Sequence, residues 1–229
     1  MSAAASTSKS PRVLVFVISE FTAQPYMNQE QKKPWSRITL NELVEVFKDE
    51  PILWCVAGGH AIELAVGQKL RTHGDTDVLI LRRDHHLLHE LLHGWKLWVA
   101  DPPGTLKPWP SGTRHEIGVH DIWCRRGEHW ELQVMLDESE QDVWHSRRHQ
   151  AIARPIEDIR QFSPDGTPYL APHIQLFYKA KSLREKDEFD FVAVLESGIE
   201  FDREWLCTAI EKVYGDDHPW ISRLMNTVG

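Results

Sequence analysis

Residues 58–81 read GGHAIELAVGQKLRTHGDTDVLIL, and this stretch decides which fold and chemistry the sequence predicts. The apolar run before it is typical of a buried strand, and Gly58-Gly59 favours a tight turn at the end of that strand. The next residues have the spacing of a short helix that ends at Gly67, and residues 76–81 are typical of a second strand. The order of strand, Gly-Gly turn, short helix and strand predicts a unit of mixed α and β structure.

Asp75 and Asp77 carry the chemistry predicted for this unit. Two carboxylates two residues apart on an extended chain point to the same face, where their oxygens can share a divalent cation. Like charges this close stay ionised only if a cation neutralises them, and Mg²⁺ prefers oxygen ligands while keeping substrate phosphates in its shell. Gly58 and Gly59 let backbone N–H groups approach a triphosphate, beside a helix N-terminus. We therefore predict a catalytic metal pair next to a nucleotide-binding turn, as phosphoryl or nucleotidyl transfer requires.

The whole chain divides into three predicted regions. Residues 1–36 form an N-terminal extension, partly disordered, in which the apolar run 13–18 is a strand or a loosely packed segment. Residues 37–140 alternate between strand and helix patterns, whereas residues 141–229 show helical patterns only. The predicted fold class is therefore α/β (α+β), a sheet flanked by helices with a helical C-terminal region.

Further elements are predicted from periodicity and end signals. Thr39 caps a first helix, and Leu43 and Phe47 lie on its apolar face. Pro172 begins the first helix of the C-terminal region. The remaining predictions are helices over 85–93, 187–195, 203–213 and 219–225, strands over 95–99, 119–124 and 130–136, and a loop over 101–114.

Composition limits the class of protein. The chain has 229 residues, of which 41% are apolar and 26% charged, and this balance is ordinary for a globular protein. No apolar run approaches the roughly 18–20 residues that span a bilayer, so no membrane partner is predicted. Three widely spaced cysteines predict neither a disulfide framework nor a zinc ribbon, and the cytoplasm is the expected location. The net charge of −8 disfavours a nucleic-acid duplex as partner but leaves a local basic patch possible, and the sequence leaves the oligomeric state open.

Residues 58–81 as a whole resemble the nucleotidyltransferases of the DNA polymerase beta superfamily. Within that superfamily the pattern G-G-x-A-I-(D/E)-L-x-x-G-x-x-x-R-x-H-x-D-x-D is similar to the aminoglycoside and lincosamide adenylyltransferases. The resemblance implies a small mixed nucleotidyltransferase sheet, ATP or another NTP as co-substrate, Mg²⁺ as metal and a small hydroxylated acceptor. It also implies that His73, inside the pattern, belongs to the nucleotide-binding residues.

Residues 172–190 resemble the C-terminal helical motif of the same enzymes. This second resemblance implies that Lys179 and Lys186 contact nucleotide phosphates. It further implies that Asp187 or Asp190 orients those phosphates or binds a substrate cation. An amphipathic helix with a solvated charged face explains the same pattern equally well.

The resemblance implies a third acidic residue on a later strand, as general base or third metal ligand. We predict Asp121 for this catalytic role, with Glu131 and Glu138 as rivals. Lincosamide-type enzymes carry a pattern like H-E-I-D-V-H, whereas residues 115–120 read HEIGVH, with Gly118 in place of the aspartate. An edge-strand aspartate that faces water is the structural alternative for Asp121.

A different motif competes with this interpretation. His89-Glu90-Leu91-Leu92-His93 matches H-E-x-x-H, the signature of zinc proteases. Gly94 ends the helix directly after the second histidine, so we interpret the match as accidental. Trp109, in the long loop, is a weak candidate for stacking on a substrate.

The sequence thus predicts a metal-dependent nucleotidyltransferase that moves a nucleoside monophosphate from an NTP to a hydroxyl of a small molecule, such as an aminoglycoside- or lincosamide-like antibiotic. A cationic aminoglycoside suits the acidic chain, with Asp187, Asp190 and the cluster Asp137, Glu138 and Glu140 as candidate partners for its ammonium groups. One alternative is a toxin-antitoxin-type enzyme that acts on RNA through a basic groove of Lys179, Lys181, Arg184 and Lys186. Another is a non-catalytic relative that binds an NTP.

Overall fold

The computed structural model describes residues 29–102, 104–113 and 118–226. Its strands are β1 (Trp54–Ala57), β2 (Asp77–Leu81), β3 (Lys96–Ala100), β4 (Leu106–Pro108), β5 (Asp121–Arg125), β6 (Leu132–Glu140), β7 (Val143–Ser146), β8 (His149–Pro155), β9 (Arg160–Phe162) and β10 (Pro168–Leu170). They form one sheet in the order β4-β3-β5-β6-β2-β1-β10-β9, and β7 and β8 extend from the far end of β6. The predicted run 13–18 and His115, Glu116 and Ile117 lie outside the described residues.

The sheet is mixed, as predicted. Strand β2 runs antiparallel to β1 and parallel to β6, so Asp77 pairs with Ala57 on one side and with Gln133 on the other. Every residue of β1 and β2 is buried, as is usual for central strands whose two faces are both covered. The α+β fold class is confirmed.

Several helices begin or end at the expected signals. They are α1 (Leu40–Phe47), α2 (Gly58–Val66), α3 (Leu88–Leu91), α4 (Pro172–Lys179), α5 (Glu185–Glu196), α6 (Arg203–Tyr214) and α7 (Pro219–Asn226). Thr39 and Glu42 form a capping box at the start of α1. Gly67 ends α2 in the left-handed conformation, with φ of 72°.

Three secondary-structure predictions are wrong. Helices alone were expected from residue 141, but β7 to β10 precede the first C-terminal helix, which does begin at Pro172. The sequence does not predict a strand such as β10 because it is short and is held by a long-range parallel contact with β1 (Val56 with Tyr169). No local pattern encodes such a contact. The predicted helix over 85–93 is divided into a 3-10 helix (Arg82–Leu87) and the short α3, which ends before residue 93. The predicted loop 101–114 contains β4. The division into three domains stays a prediction.

The described residues contain no helix that is long and apolar enough to cross a membrane. All three cysteines are buried free thiols. Burial also raises the pKa of Cys55 and Cys124, so these thiols belong to the core.

Candidate active site

A cleft of about 200 Å³ opens where the ends of β1 and β2 meet α4 and α5. Seven residues singled out in the sequence line it together: Gly58, Gly59, Asp75, Asp77, Lys179, Arg184 and Lys186. Further lining residues were not assigned a role from the sequence: Arg71, Gln133, Met135, Arg147, Arg148, Gln175 and Tyr178. The carboxylate pair, the glycine turn and a set of cations therefore share one surface.

The Gly58-Gly59 turn has room for no other residue type. Gly58 has φ of +69°, and a Cβ added there would lie 2.1 Å from Oδ2 of Asp77. A Cβ on Gly59 would lie 2.3 Å from Cε1 of His73. The Gly58 N–H donates a hydrogen bond of 2.7 Å to Oε1 of Gln175, which fixes the turn against α4. Because neither glycine has a Cβ, the side chains of Asp77 and His73 can lie against the backbone of the turn.

We expect Gly58→Ala to lower kcat/KM for nucleotidyl transfer by about 100-fold or more, because the new methyl group displaces Asp77 by steric overlap. Gly67→Ala is the matched control, since Gly67 also has a positive φ of +72° but no atom lies within 4 Å of its added Cβ. Both variants carry similar backbone strain of about 1 kcal/mol. Equal activity losses in the two variants would attribute the effect to strain rather than to the site.

Asp77 is a buried carboxylate with an unpartnered oxygen. Its Oδ1 has no hydrogen-bond partner among the described residues. Burial and the neighbouring charge of Asp75 raise the pKa of Asp77 to about 7, and the positive charge of Lys179 opposes this effect. A buried, unpaired carboxylate oxygen is costly unless a cation binds it, so Asp75 and Asp77 fit a divalent metal with oxygen ligands.

Asp121 lies on the same face of the sheet as Asp77. On β6, Gln133 pairs with Asp77 and Met135 pairs with Asp121, and residues two apart on a strand share a face. The amide of Gln133 donates a 2.9 Å hydrogen bond to Oδ1 of Asp121. The charge of Asp121 also contributes to the raised pKa of Asp77, which places the two carboxylates in electrostatic contact.

The rival carboxylates have other partners. Glu131 accepts hydrogen bonds from the backbone N–H and the guanidinium of Arg126, at 2.8 and 2.9 Å. Glu138 pairs with Arg82. Neither rival lines the cleft of the aspartate pair, whereas Asp121 lines a second cavity that shares Gln133 with it.

Two buried aspartates hold the cations of the cleft. Asp190 accepts two hydrogen bonds from Arg71, at 3.0 and 2.9 Å, and pairs with Lys179 at 2.7 Å. Asp187 accepts from Nε of Arg184 at 2.6 Å. Both aspartates therefore orient cations of the chain. This pairing also means that Lys179 and Arg184 are neutralised locally, which weakens the case for a basic RNA groove.

Arg147 reaches the cleft from the connection between β7 and β8. Its Nη1 donates a 2.6 Å hydrogen bond to the fully buried Asp137, which also accepts from Tyr178 at 2.7 Å and Trp144 at 2.8 Å. Burial disfavours the charge of Arg147, but the pairing with Asp137 keeps its pKa above the ordinary value. Asp137 is thus fully engaged within the chain and is not available to a substrate cation.

Comparison with known proteins places this site in a family. The family model for aminoglycoside-2''-adenylyltransferase matches residues 39–194, which include the glycine turn, the aspartate pair and the C-terminal lysines. The chain belongs to this family. It is therefore a nucleotidyltransferase.

Two solved structures match the chain at low identity and with TM-scores below 0.5. The lincosamide antibiotic adenylyltransferase LnuA, bound to lincomycin, is 14% identical, with a TM-score of 0.49 over 69% of this chain and 97% of that one. ANT(2'')-Ia in complex with adenylyl-2''-tobramycin is 15% identical, with a TM-score of 0.43 over 80% of this chain and 95% of that one. No curated protein sequence matches the chain.

His73 of this nucleotidyltransferase lies behind the glycine turn and does not line the cleft. Its ring centroid lies 4.0 Å from that of His60, with the two ring planes tilted by 43°, and its Nε2 lies 2.9 Å from Oε1 of Glu63. Burial lowers the pKa of both histidines, that of His60 to about 4. A direct contact of His73 with nucleotide stays a prediction.

The zinc-protease motif does not form a site in the enzyme. Helix α3 ends at Leu91, so His93 lies beyond it and is exposed, whereas His89 packs edge-on against Trp109 at 4.5 Å. These histidines do not occur in the group of potential metal ligands found among the described residues. Trp109 is 3% exposed, so it belongs to the core and not to a stacking surface.

Proposed function

We propose that the enzyme transfers the adenylyl group of ATP to a hydroxyl of an aminoglycoside-like antibiotic and releases pyrophosphate. One observation carries the proposal: a buried carboxylate, Asp77, keeps an unpartnered oxygen beside Asp75 at the glycine turn. A site built only for structure would pair or replace that oxygen. Membership of the adenylyltransferase family supports the adenylyl group as the one transferred.

The chain's own residues divide the work. Asp75 and Asp77 would hold Mg²⁺, which supplies charge stabilisation on the phosphate oxygens when bound. The N-terminus of α2 would receive the triphosphate through the backbone N–H groups that follow Gly58, whose own N–H donates to Gln175. Lys179 and Lys186 face the same cleft and would pair with phosphate oxygens. Asp77 is thereby held in its ionised form, because binding of a cation outweighs the burial that raises its pKa.

The acceptor would approach from the side of Asp121. A cavity of about 260 Å³ contains Asp121 and shares Gln133 with the cleft. A larger cavity of about 660 Å³ adjoins it at His120 and is lined by Glu138 and Glu140. Carboxylates in these cavities would pair with the ammonium groups of an aminoglycoside, in line with the net charge of −8. Such an acceptor is favoured over a lincosamide, which offers fewer cationic groups.

Drug resistance of a sensitive bacterium that expresses the protein tests this acceptor class. We expect protection against one or more aminoglycosides, and its loss in the Asp75→Ala variant at equal protein level. Protection against lincosamides alone would overturn the aminoglycoside assignment. Protection against neither class, with ATP binding intact, would remove an antibiotic as the acceptor and leave an RNA or a metabolite to be tried.

The third carboxylate can be assigned by three matched variants. We expect Asp121→Asn to lower kcat by about 100-fold or more, because a general base contributes about this factor. Glu131→Gln and Glu138→Gln should keep kcat at saturating acceptor within about threefold of the parent value, since both carboxylates pair with arginines outside the cleft; Glu138→Gln would change only KM for the acceptor, because Glu138 lines the proposed acceptor cavity. Steady-state rates of pyrophosphate release measure the effect. A larger loss for either glutamate would transfer the catalytic role to that residue.

Two exposed lysines distinguish phosphate binding from general charge. Lys186 lines the cleft, whereas Lys181 is exposed but does not line it. We expect Lys186→Gln to raise KM for ATP by roughly twofold to fivefold, an effect that fades at high salt, because an exposed ion pair is weak and screened. Lys181→Gln should leave KM for ATP unchanged. Equal KM values for the two variants would exclude Lys186 from nucleotide binding.

A further inference from the structure

Behind the glycine turn, three ligand-type side chains converge outside the catalytic cleft. They are His60 and Glu63 of α2 and His73 of the segment that leads to the aspartate pair. Their ligand atoms all lie within 4.8 Å of one another. The side chains are 10%, 12% and 3% exposed, respectively, so the cluster is nearly shielded from solvent.

Hydrogen bonding within the chain accounts for only part of this cluster. Neither ring nitrogen of His60 has a hydrogen-bond partner among the described residues, whereas Nε2 of His73 lies within hydrogen-bond distance of Glu63. Buried imidazoles normally satisfy at least one nitrogen, so the unpartnered ring of His60 beside a buried carboxylate and a second imidazole indicates a missing partner. Nδ1 of His60 lies 3.3 Å from Oε2 of Glu63, and Nε2 of His73 lies 2.9 Å from Oε1.

The three ligand atoms are close enough for a tetrahedral metal ion to bind after a small closure of the side chains. Ligands at about 2.0–2.1 Å from a tetrahedral ion lie roughly 3.4 Å apart. The backbone N–H groups of Leu70 and Arg71 donate to Oε1 of Glu63 at 2.8 and 3.1 Å, and so orient that carboxylate from an outer shell. Two imidazoles and one carboxylate suit zinc, whereas Mg²⁺ prefers oxygen ligands alone.

We propose that His60, Glu63 and His73 bind one zinc ion, with a water molecule as fourth ligand, separately from the magnesium of the aspartate pair. The ion connects the first turn of α2 to the segment that precedes Asp75. It thereby fixes the glycine turn against the catalytic aspartates. Its role is structural, since the cluster lies behind the turn and does not line the cleft.

Zinc content of the untagged protein tests the proposal without reference to activity. After dialysis against limiting free zinc, we expect one zinc per chain in the parent protein and in the Asp75→Asn/Asp77→Asn double variant. The same result is expected for His89→Gln/His93→Gln, which removes two histidines of the other His-rich segment. His60→Gln should bind zinc more than about 100-fold more weakly, beyond the loss typical of removing an outer partner. A parent protein that retains no zinc, or a His60→Gln variant that retains it, would overturn the proposal.

Cobalt substitution gives an independent result on the parent protein, should His60→Gln fail to fold. We expect one equivalent of Co²⁺ to produce the intense visible bands of a four-coordinate ion and zinc to displace it. The weak bands of six-coordinate Co²⁺, or binding that the Asp75→Asn/Asp77→Asn double variant abolishes, would place the ion in the catalytic cleft and contradict the proposal.

Discussion

Asp77→Asn should lower kcat/KM for adenylyl transfer by on the order of a thousand-fold while the protein stays folded. The amide keeps the size of the side chain but cannot neutralise a divalent cation, and lost electrostatic stabilisation at the reacting phosphate has no substitute in the cleft. Pyrophosphate release at saturating Mg²⁺ measures the loss. Because Asp77 is buried under the glycine turn, circular dichroism of the variant must accompany the rates.

Asp49→Asn is the matched control, since Asp49 is an exposed carboxylate after α1, outside the cleft. We expect its rate to equal that of the parent enzyme. An Asp77→Asn variant that keeps more than about a tenth of the parent activity would remove this residue from the metal site. The reaction would then need another ligand set.

Asp77→Asn should also stabilise the metal-free protein at neutral and higher pH. Burial and Asp75 raise the pKa of Asp77 from 3.8 to about 7, so folding favours its protonated form. This contribution to stability is fully present below pH 3.8, declines as the pH rises and is lost above about pH 7. The shift corresponds to roughly 4 kcal/mol at most. Asp77→Asn removes the dependence because an amide does not titrate.

Urea unfolding without divalent metal measures this effect. We expect the stability difference between Asp77→Asn and the parent protein to grow in favour of the variant from about pH 4 to pH 8. Added Mg²⁺ should restore the parent protein at pH 8 and leave the variant unchanged, because a ligand stabilises only the state that binds it. Parallel pH profiles for the two proteins would mean that Asp77 is not held at a raised pKa.

The catalytic segment could be predicted because its information is local. One stretch of sequence contains Gly58, Gly59, Asp75 and Asp77. Their order indicates that the two carboxylates lie next to the backbone of the glycine turn. The cap at Thr39 and the end of α2 at Gly67 follow from equally local rules. The family resemblance predicted that Lys179 and Lys186 bind nucleotide phosphates, and both lysines line the cleft.

The remaining site residues depend on contacts between distant segments. Strand β10 is defined by its pairing with β1, and Arg147 enters the cleft because β7 and β8 bring it back to Asp137. In the sequence, Gln175 is only a polar residue within a mostly apolar helix. In the fold, its amide oxygen accepts a hydrogen bond from the Gly58 N–H. No spacing rule for a single segment reveals such contacts, since they arise from tertiary packing. The pairing of Asp190 with Arg71 could not be predicted for the same reason, because the two residues belong to separate segments of the sequence.

Mass spectrometry of the reaction products tests most directly whether this cleft adenylylates a small hydroxylated acceptor. The purified enzyme is incubated with ATP, Mg²⁺ and a panel of aminoglycosides, in parallel with its Asp77→Asn variant. We predict that at least one aminoglycoside gains the mass of a single adenylyl group, with an equal amount of pyrophosphate, and that the variant forms neither product. Hydrolysis of ATP to ADP and phosphate, or adenylylated product at undiminished yield from the Asp77→Asn variant, would contradict the assignment.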